Sequence, residues 1–245
     1  MGQDLPDYTR MITIQHTGGF IGLEELATRL GFIGPGDLHG NVLFMEDFET
    51  EITDWGLHSS AGSPDPVRTS RHKYSGNWSL KFAPVAGASE HAWADTYLYY
   101  PGATRITFFS RTAWKDDAQI MEWFMYVGDG AEHLWGSIRY NFAASTLEGK
   151  RTPVVGDYFT IDPALHVGLD ELIWYPIALT FDPVARTYFE FRIAEHVYDL
   201  TAHNLCVSAP RPDPELNVGY RALPTDTDTF TSYLDDVVIV KNVPV

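Results

Sequence analysis

The sequence predicts an all-β protein, an antiparallel sandwich or barrel preceded by a short arm. Strand-like segments follow one another from Val42 onward, and no helical pattern separates them. Turn sequences such as Pro101-Gly102 and Gly128-Asp129-Gly130 divide the segments. The single convincing amphipathic helix lies before residue 40. Together these features predict two antiparallel sheets in one domain, from residue 41 to residue 245.

The strand segments are defined by runs of β-branched and aromatic residues, often alternating with polar ones. They cover 42–49, 66–72, 78–83, 93–100, 104–112, 119–127, 132–142, 157–161, 171–181, 186–193, 216–221 and 229–240. The segment 119–127 is largely apolar on both alternating faces. It is therefore predicted to be a central strand that is covered on both sides.

Residues 1–40 differ in pattern from the rest of the chain and are predicted to form an arm. An alternating segment over 8–14 predicts a strand, and leucines at helical spacing over 20–30 predict a helix. Glycines at 31, 34 and 36 then form a linker. Because an arm of this size cannot fold alone, it is expected to pack on the body or on another subunit. The residues predicted to make these assembly contacts are Tyr8, Ile12, Leu23, Leu26 and Leu30.

Composition bounds the partners of the chain. The formal net charge is −16, which argues against nucleic acid because phosphate binding needs clustered Lys and Arg. No apolar stretch approaches a membrane span, and the first ten residues do not form a signal peptide. The sequence therefore predicts synthesis in the cytoplasm without export. Cys206, the single cysteine, is predicted to be a buried small residue.

Two motifs lie at the ends of the β region. Glu46-Asp47-Phe48-Glu49, Asp54-Trp55 and the segment Tyr74-Ser75-Gly76-Asn77-Trp78-Ser79-Leu80-Lys81-Phe82 stand near its start. Tyr233-Leu234-Asp235-Asp236-Val237-Val238-Ile239 stands near its end. These motifs resemble those of jelly-roll carbohydrate-binding modules of the xylan- and glucan-binding type. The resemblance implies an antiparallel jelly-roll β-sandwich.

In such jelly rolls the two motifs hold a structural calcium ion. Carried over by resemblance, Glu49, Asp236 and the backbone near Ser75 and Asn77 would be its ligands. Calcium accepts six to eight oxygen ligands of mixed kind, which suits this set. Asp235 and Asp236 are expected on opposite faces of one strand, so that only one of them could enter the site. The alternative is that these acids only cap strand ends.

Aromatic residues provide a second candidate site. Trp93, Tyr97 and Tyr99 fall on one face of a predicted strand, as a sugar-stacking platform requires. The same face could instead be a subunit interface, since Tyr and Trp are enriched there. Tyr100, Trp114, Trp123 and Trp135 could also contribute to such a platform, although most aromatic residues of this kind are expected to belong to the core.

The sequence matches the patterns of known catalytic sites poorly. Residues 46–51 approach the paired-carboxylate pattern of jelly-roll glucanases, but their spacing differs from it. The histidines are scattered and form no zinc motif. The chain is therefore predicted not to be an enzyme, with a glycoside hydrolase or lyase as the least favoured reading.

The order of these features resembles that of virion-associated proteins of tailed bacteriophages. The similar features are the arm ending in "GLEELATRLG", the following "VLFMEDFET" and the closing "DDVVIV". This resemblance implies a non-enzymatic capsid-decoration or tail-associated protein, anchored through its arm to other subunits and forming a homo-oligomer in the virion. The alternative is a carbohydrate-binding module or lectin-like adhesin. The two functions are compatible, because a virion protein can also bind host glycans.

Overall fold

The computed structural model is an antiparallel β-sandwich of sixteen strands. It describes residues 40–242, apart from 51, 53, 61, 86–90, 101, 103–104, 116–118, 155, 169–172, 209–213 and 225–229. The predicted all-β fold is confirmed over this range. The predicted arm and its contact residues Tyr8, Ile12, Leu23, Leu26 and Leu30 lie outside the described residues. No helix long and apolar enough to cross a membrane occurs within the part of the chain that is described.

The first sheet contains eight strands that pair antiparallel. Its order is β13-β12-β11-β6-β16-β4-β3, and β1 also pairs with β16. These strands are β1 (Gly40–Glu46), β3 (Val67–Thr69), β4 (Ser79–Phe82), β6 (Arg105–Trp114), β11 (Tyr175–Asp182), β12 (Thr187–Ile193), β13 (His196–Asp199) and β16 (Ser232–Asn242).

The second sheet also contains eight strands. Its order is β10-β9-β8-β7-β15-β5-β2, and β14 also pairs with β8. The strands are β2 (Gly56–Ser59), β5 (Ala92–Tyr99), β7 (Gln119–Gly128), β8 (His133–Asn141), β9 (Thr146–Lys150), β10 (Tyr158–Asp162), β14 (Cys206–Ser208) and β15 (Glu215–Pro224). The centre of this sheet is the β7–β15 pair, which is in continuous register from Glu215 opposite Gly128 to Pro224 opposite Gln119.

The core lies between the sheets. Side chains that alternate along the strands point inward, as the period of two requires. Phe108, Leu179 and Ile239 come from the first sheet, Trp123 and Val218 from the second, and all five are fully buried. Burying one large apolar side chain stabilises a fold by ~1.5–3 kcal/mol. The face of each sheet that turns away from the core is consequently the place where a ligand can bind.

Each of the twelve predicted segments contains a strand of the structure. Strands β2, β9, β13 and β14 were not predicted; each has five residues or fewer. The first predicted segment, 42–49, extends past the end of its strand. Strand β1 ends at Glu46, and Phe48 has a positive φ of 57°. Strand β7 is central as predicted. The residues Glu122 and Phe124 of its outer face are only 2% and 8% exposed, in agreement with the predicted cover on both faces, although this face also lines a groove.

Candidate functional site

The outer face of the second sheet carries a groove with a volume of about 230 Å³. Alternation along the strands explains its composition. In β15, Leu216, Val218 and Tyr220 enter the core, whereas the residues between them face the groove. Strands β5, β7 and β8 contribute in the same way. The lining residues are His91, Trp93, Asp95, Tyr97, Glu122, Phe124, Tyr126, Trp135, Glu215, Asn217 and Arg221.

Aromatic rings occupy both sides of this groove. On the β5 side, the ring of Trp93 stacks on His58 and also contacts His91, with centroids 4.9 Å apart in each pair. On the β7–β8 side, the rings of Tyr126 and Trp135 stack at 5.5 Å with an interplanar angle of 12°. These neighbours restrict the orientation of Trp93 and Trp135. Rings held in this way offer a flat apolar face to a ligand at little further entropic cost.

Polar side chains complete the floor of the groove beside β5. Asp95 accepts a hydrogen bond from Nδ2 of Asn217 at 2.7 Å, and His58 Nε2 lies 3.3 Å from its other oxygen. At the start of β15, Glu215 lies 3.3 Å from His133 Nε2. The floor therefore presents carboxylate and amide oxygens, which accept hydrogen bonds from hydroxyl groups.

An ion pair lies deeper in the groove, where Arg221 of β15 stands directly opposite Glu122 of β7. Arg221 donates to Glu122 Oε2 from Nε at 2.9 Å and also from a terminal nitrogen. Glu122 is only 2% exposed. Burial alone would lower the pKa of Arg221, but the Glu122 charge and hydrogen bond raise it above its ordinary value. Arg221 is therefore held in its charged form beside the Glu122 carboxylate.

A second ion pair continues this row toward the sheet edge. Arg139 of β8 stands opposite both Glu122 and Glu148 of β9, and its Nε donates to Glu148 Oε2 at 2.6 Å. The Arg139 guanidinium also covers the ring of Tyr158, at 3.5 Å from the ring centroid. Burial raises the pKa of Tyr158 to about 12. This second pair lies beyond the residues that line the groove.

Gly219 is required at the centre of the floor, between Asp95 and Phe124. A Cβ at this position would lie 2.4 Å from Phe124 Cζ and 2.5 Å from the carbonyl oxygen of Ala94. Any larger residue would therefore displace the ring or the backbone. The glycine lets the ring of Phe124 lie across β15 and keeps the floor of the groove flat.

The three residues predicted to form a platform do lie on one face of β5, but they divide between two sites. Trp93 and Tyr97 line the groove, and Tyr97 is 58% exposed. Tyr99, 77% exposed, lines a neighbouring cavity of about 550 Å³ together with Val184 and Arg186. Trp114 and Trp123 belong to the core as expected.

The polar half of the groove was not predicted. Asp95, Glu122, Asn217 and Arg221 are all absent from the sequence-based site. Arg221 and Glu122 are 99 positions apart, and only the pairing of β15 with β7 brings them together. The one local indication was the alternation of polar and apolar residues in β15. This alternation predicts a strand with one polar, solvent-facing side, but it does not show that this side forms a groove.

The residues predicted to bind calcium lie together at one end of the sandwich, where they are hydrogen-bonded to one another. Glu49 Oε1 accepts hydrogen bonds from the backbone N–H groups of Asn77 and Trp78, and its Oε2 accepts one from Nδ2 of Asn77 at 3.1 Å. A Cβ at Gly76, where φ is +57°, would lie 2.3 Å from Glu49 Oε1. Glu49 therefore fastens the 76–78 segment, a role that requires no cation.

Asp235 and Asp236 do not point to opposite faces of β16, contrary to the expectation from strand alternation. Asp235 Oδ2 accepts a hydrogen bond from Tyr74 N at 2.8 Å, and Asp236 Oδ1 accepts one from Ser75 Oγ at 2.7 Å. A bulge in β16 breaks the alternation here, and Asp236 has a φ of 46°. Both carboxylates consequently reach the same segment.

Neither aspartate belongs to a cluster of acidic and histidine side chains. Among the described residues, no group of three or more His, Cys, Asp and Glu could hold a metal ion. The predicted site also relied on backbone carbonyls, so calcium binding stays a prediction.

Cys206 is buried as expected, and burial raises the pKa of its thiol to about 11, which keeps the thiol protonated.

Comparisons with known proteins show the fold. No protein-family model matches the sequence, and no curated protein matches it significantly. An endo-β-1,4-glucuronan lyase from the fungus Trichoderma reesei superposes with a TM-score of 0.55 and 12% identity, over 82% of this chain and 95% of the lyase. The carbohydrate recognition domain of Emp46p, in its potassium-bound form, gives 0.52 and 10% identity, over 81% and 94%.

A phage-encoded protein shares the fold as well. A carbohydrate esterase from the Shiga toxin-encoding bacteriophage phi24B gives a TM-score of 0.53 and 14% identity, over 83% of this chain and all of the esterase. At these identities the likeness extends to the fold alone. The chain therefore has the β-sandwich fold found in carbohydrate-binding and lectin-like domains, and in some enzymes that act on carbohydrates.

Proposed function

We propose that this protein binds carbohydrate, without catalysis, in the groove on the outer face of the second sheet. The observation that carries the proposal is the combination of rings and polar floor in one groove. Trp93, Tyr97 and Trp135 provide aromatic faces, and Asp95 and Asn217 provide hydrogen-bonding groups. A sugar ring has an apolar face and a rim of hydroxyl groups, so it needs both.

The position of Tyr97 supports the proposal further. A large aromatic side chain that is 58% exposed keeps apolar surface in water, which is unfavourable unless another molecule covers it. Tyr97 also lies opposite Asn217, so a ring stacked on the tyrosine would bring its hydroxyl groups near the amide. This arrangement gives a ligand both apolar contact and orientation.

The carboxylates of the groove suit binding better than catalysis. Hydrolysis of a glycosidic bond needs a protonated carboxylic acid and a second carboxylate beside the bond. One oxygen of Glu122 accepts two hydrogen bonds from Arg221, and the side chain is almost fully buried, so it is placed as the partner of a guanidinium and not beside a glycosidic bond. Asp95 is hydrogen-bonded to Asn217, and Glu215 faces His133. We therefore assign these groups to positioning the ligand.

A glycan array followed by calorimetric titration tests this function. We expect the protein to bind at least one glycan, and Tyr97→Ala to weaken that binding by about tenfold, which corresponds to ~1.4 kcal/mol. Tyr74→Ala is the matched control, because Tyr74 is 41% exposed but packs beside Trp174 outside the groove. Equal affinities for Tyr97→Ala and the wild type would place the ligand elsewhere and contradict the proposal.

The virion role predicted from the layout of the chain stays a prediction. Its attachment device, residues 1–40, lies almost entirely outside the described residues. The groove neither requires nor conflicts with this role, because every residue that lines it comes from the second sheet or the segment just before β5. A glycan-binding domain carried on a particle would combine both predicted functions.

A further inference from the structure

We infer that the groove selects neutral, hydroxyl-rich glycans and rejects chains of uronic acids. The inference rests on the proposed function and adds to it the class of ligand. The inference follows from the charged side chains that line the groove and from the ion pair that the arginine among them already forms.

The groove has an excess of negative charge. Asp95, Glu122 and Glu215 contribute three carboxylates, and Arg221 is the one guanidinium among the residues that line it, which leaves a net charge of −2. This count takes His91, which also lines the groove, as neutral. A uronate carboxylate entering this groove would therefore meet like charges, which disfavours binding.

Arg221 is already committed to a buried partner. It donates two hydrogen bonds to Glu122 Oε2, and the Glu122 side chain is almost fully buried. A uronate could bind Arg221 only by displacing Glu122, which would then be a buried charge without a counterion. Recognition of a carboxylate is favoured by an arginine that can form a bidentate pair, and two nitrogens of Arg221 already donate to Glu122.

Two other cations of the second sheet, Arg139 and Lys150, have partners of their own. Arg139 pairs with Glu148 and covers the ring of Tyr158. Lys150 donates to the carbonyl oxygen of Val154 at 2.7 Å, and its ammonium lies 4.4 Å from the Tyr158 ring centroid. Neither residue lines the groove, so neither is placed to receive a uronate there.

Neutral sugars suit the same groups. Hydroxyl groups donate to carboxylates in charge-assisted hydrogen bonds, which are stronger than those between neutral groups. Glu215, whose side chain is 19% exposed, supplies such an acceptor in the groove. The amide nitrogen of Asn217 donates to Asp95 Oδ2 and to the carbonyl oxygen of Thr96, so the Asn217 amide offers its oxygen as a further acceptor. An acidic lining that repels uronates is thus an advantage for a polyhydroxylated neutral chain.

The test is a glycan array at pH 8 that contains neutral, uronate-containing, sialylated and amino-sugar glycans, followed by titration of hits and charge-matched analogues. We expect neutral glycans to bind, with an affinity that changes less than twofold between 20 and 300 mM salt, since no ion pair would form. We expect uronate chains of the same length to bind at least about tenfold more weakly.

The outcomes separate the inference from the proposed function. Preferential binding of uronate or sialylated glycans would overturn the inference but support a carbohydrate-binding function. Preferential, salt-sensitive binding of amino sugars would also overturn it. Binding of no glycan at all would contradict the proposed function itself.

A variant tests the assignment to Arg221 directly. Glu122→Gln removes the carboxylate that holds Arg221, so we expect affinity for an oligoglucuronate to rise about tenfold and to become salt-sensitive. Glu148→Gln is the matched control, because it frees Arg139 outside the groove and should give no such gain. Circular dichroism melts establish that both variants fold. If Glu122→Gln does not fold, the array with the wild-type protein still decides the inference.

Discussion

Asn217 and Asp95 form a buried hydrogen bond across the β15–β5 pair, with 2.7 Å between Nδ2 of the amide and Oδ2 of the carboxylate. Asn217 is 3% exposed and Asp95 is 4% exposed, and both residues lie on the floor of the groove. The two residues are not directly opposite each other: Asn217 faces Tyr97, and Asp95 faces Gly219. The amide therefore reaches diagonally, over the space that a larger residue at 219 would fill.

Asn217→Ala should destabilise the protein and weaken ligand binding. The substitution removes a donor from a buried carboxylate, a change that costs about 1–3 kcal/mol. Urea denaturation measures this loss as a lower midpoint with an unchanged slope. Thr160→Ala, an exposed position on β10, serves as the control and should change stability by less than about 0.5 kcal/mol. An unchanged midpoint for Asn217→Ala would mean that Asp95 does not depend on this amide.

The free energy of unfolding should fall as the pH rises, because Glu46 is partly buried and must ionise. Burial, and secondarily the charges of Asp47 and Asp54, raises its pKa from 4.5 to about 7, while a hydrogen bond from Phe48 N opposes the shift. The folded protein then binds the proton more tightly than the unfolded chain does, so the cost of ionisation is absent below pH 4.5 and fully present above about pH 7.

Glu46→Gln should therefore stabilise the protein at pH 8 but not at pH 4.5. The gain is at most about 3 kcal/mol, because one pKa unit corresponds to ~1.36 kcal/mol and partial solvent access reduces it. The glutamine retains an oxygen that can accept from Phe48 N. Chemical denaturation of both proteins at the two pH values measures the difference. A gain that is the same at both values would show that Glu46 does not titrate in this range.

Calcium binding at Glu49 and Asp236 is tested by chelation. An ion that binds only the folded state at about 100 times its dissociation constant stabilises it by ~2.7 kcal/mol. Removing such an ion with EDTA should lower the melting temperature by roughly 5–10 °C, and Glu49→Gln should abolish this response. Glu195→Gln, on the exposed turn between β12 and β13, is the control and should respond like the wild type. No response in the wild type would leave Glu49 with its hydrogen-bonding role alone.

Deletion of residues 1–38 tests the arm. Because the two sheets and their core come from residues 40–242, we expect the truncated body to remain folded with nearly the same melting temperature. If the arm is the attachment device, the truncated protein should lose assembly with other subunits while it keeps its glycan binding. Unfolding of the body, or assembly equal to that of the full chain, would refute the prediction.

The strands of the core were predictable because their residues repeat with a period of two. The missed strands lack that pattern. In β9 only Leu147 is a large apolar residue, and the inward position of Gly149 is filled by the ring of Phe159 from β10. A short strand of this kind is defined by its partners, here β8 and β10, which the local sequence does not contain.

The polar side of the groove could not be predicted for the same reason. Glu122 lies in a strand whose other residues are mostly apolar. The glutamate is tolerated there because Arg221 stands opposite it. That pairing depends on the order of strands in the sheet. The aromatic side was easier, since Trp93 and Tyr97 lie four residues apart on one strand and alternation alone puts them on one face.

A crystal structure of the protein with a neutral oligosaccharide bound is the most direct test of the central claim. We predict a sugar ring stacked on Tyr97 or Trp93, with hydroxyl groups hydrogen-bonded to Asp95 and Asn217 and with the Arg221–Glu122 pair intact. An oligosaccharide bound only on the outer face of the first sheet, with the groove of the second sheet empty, would contradict the account.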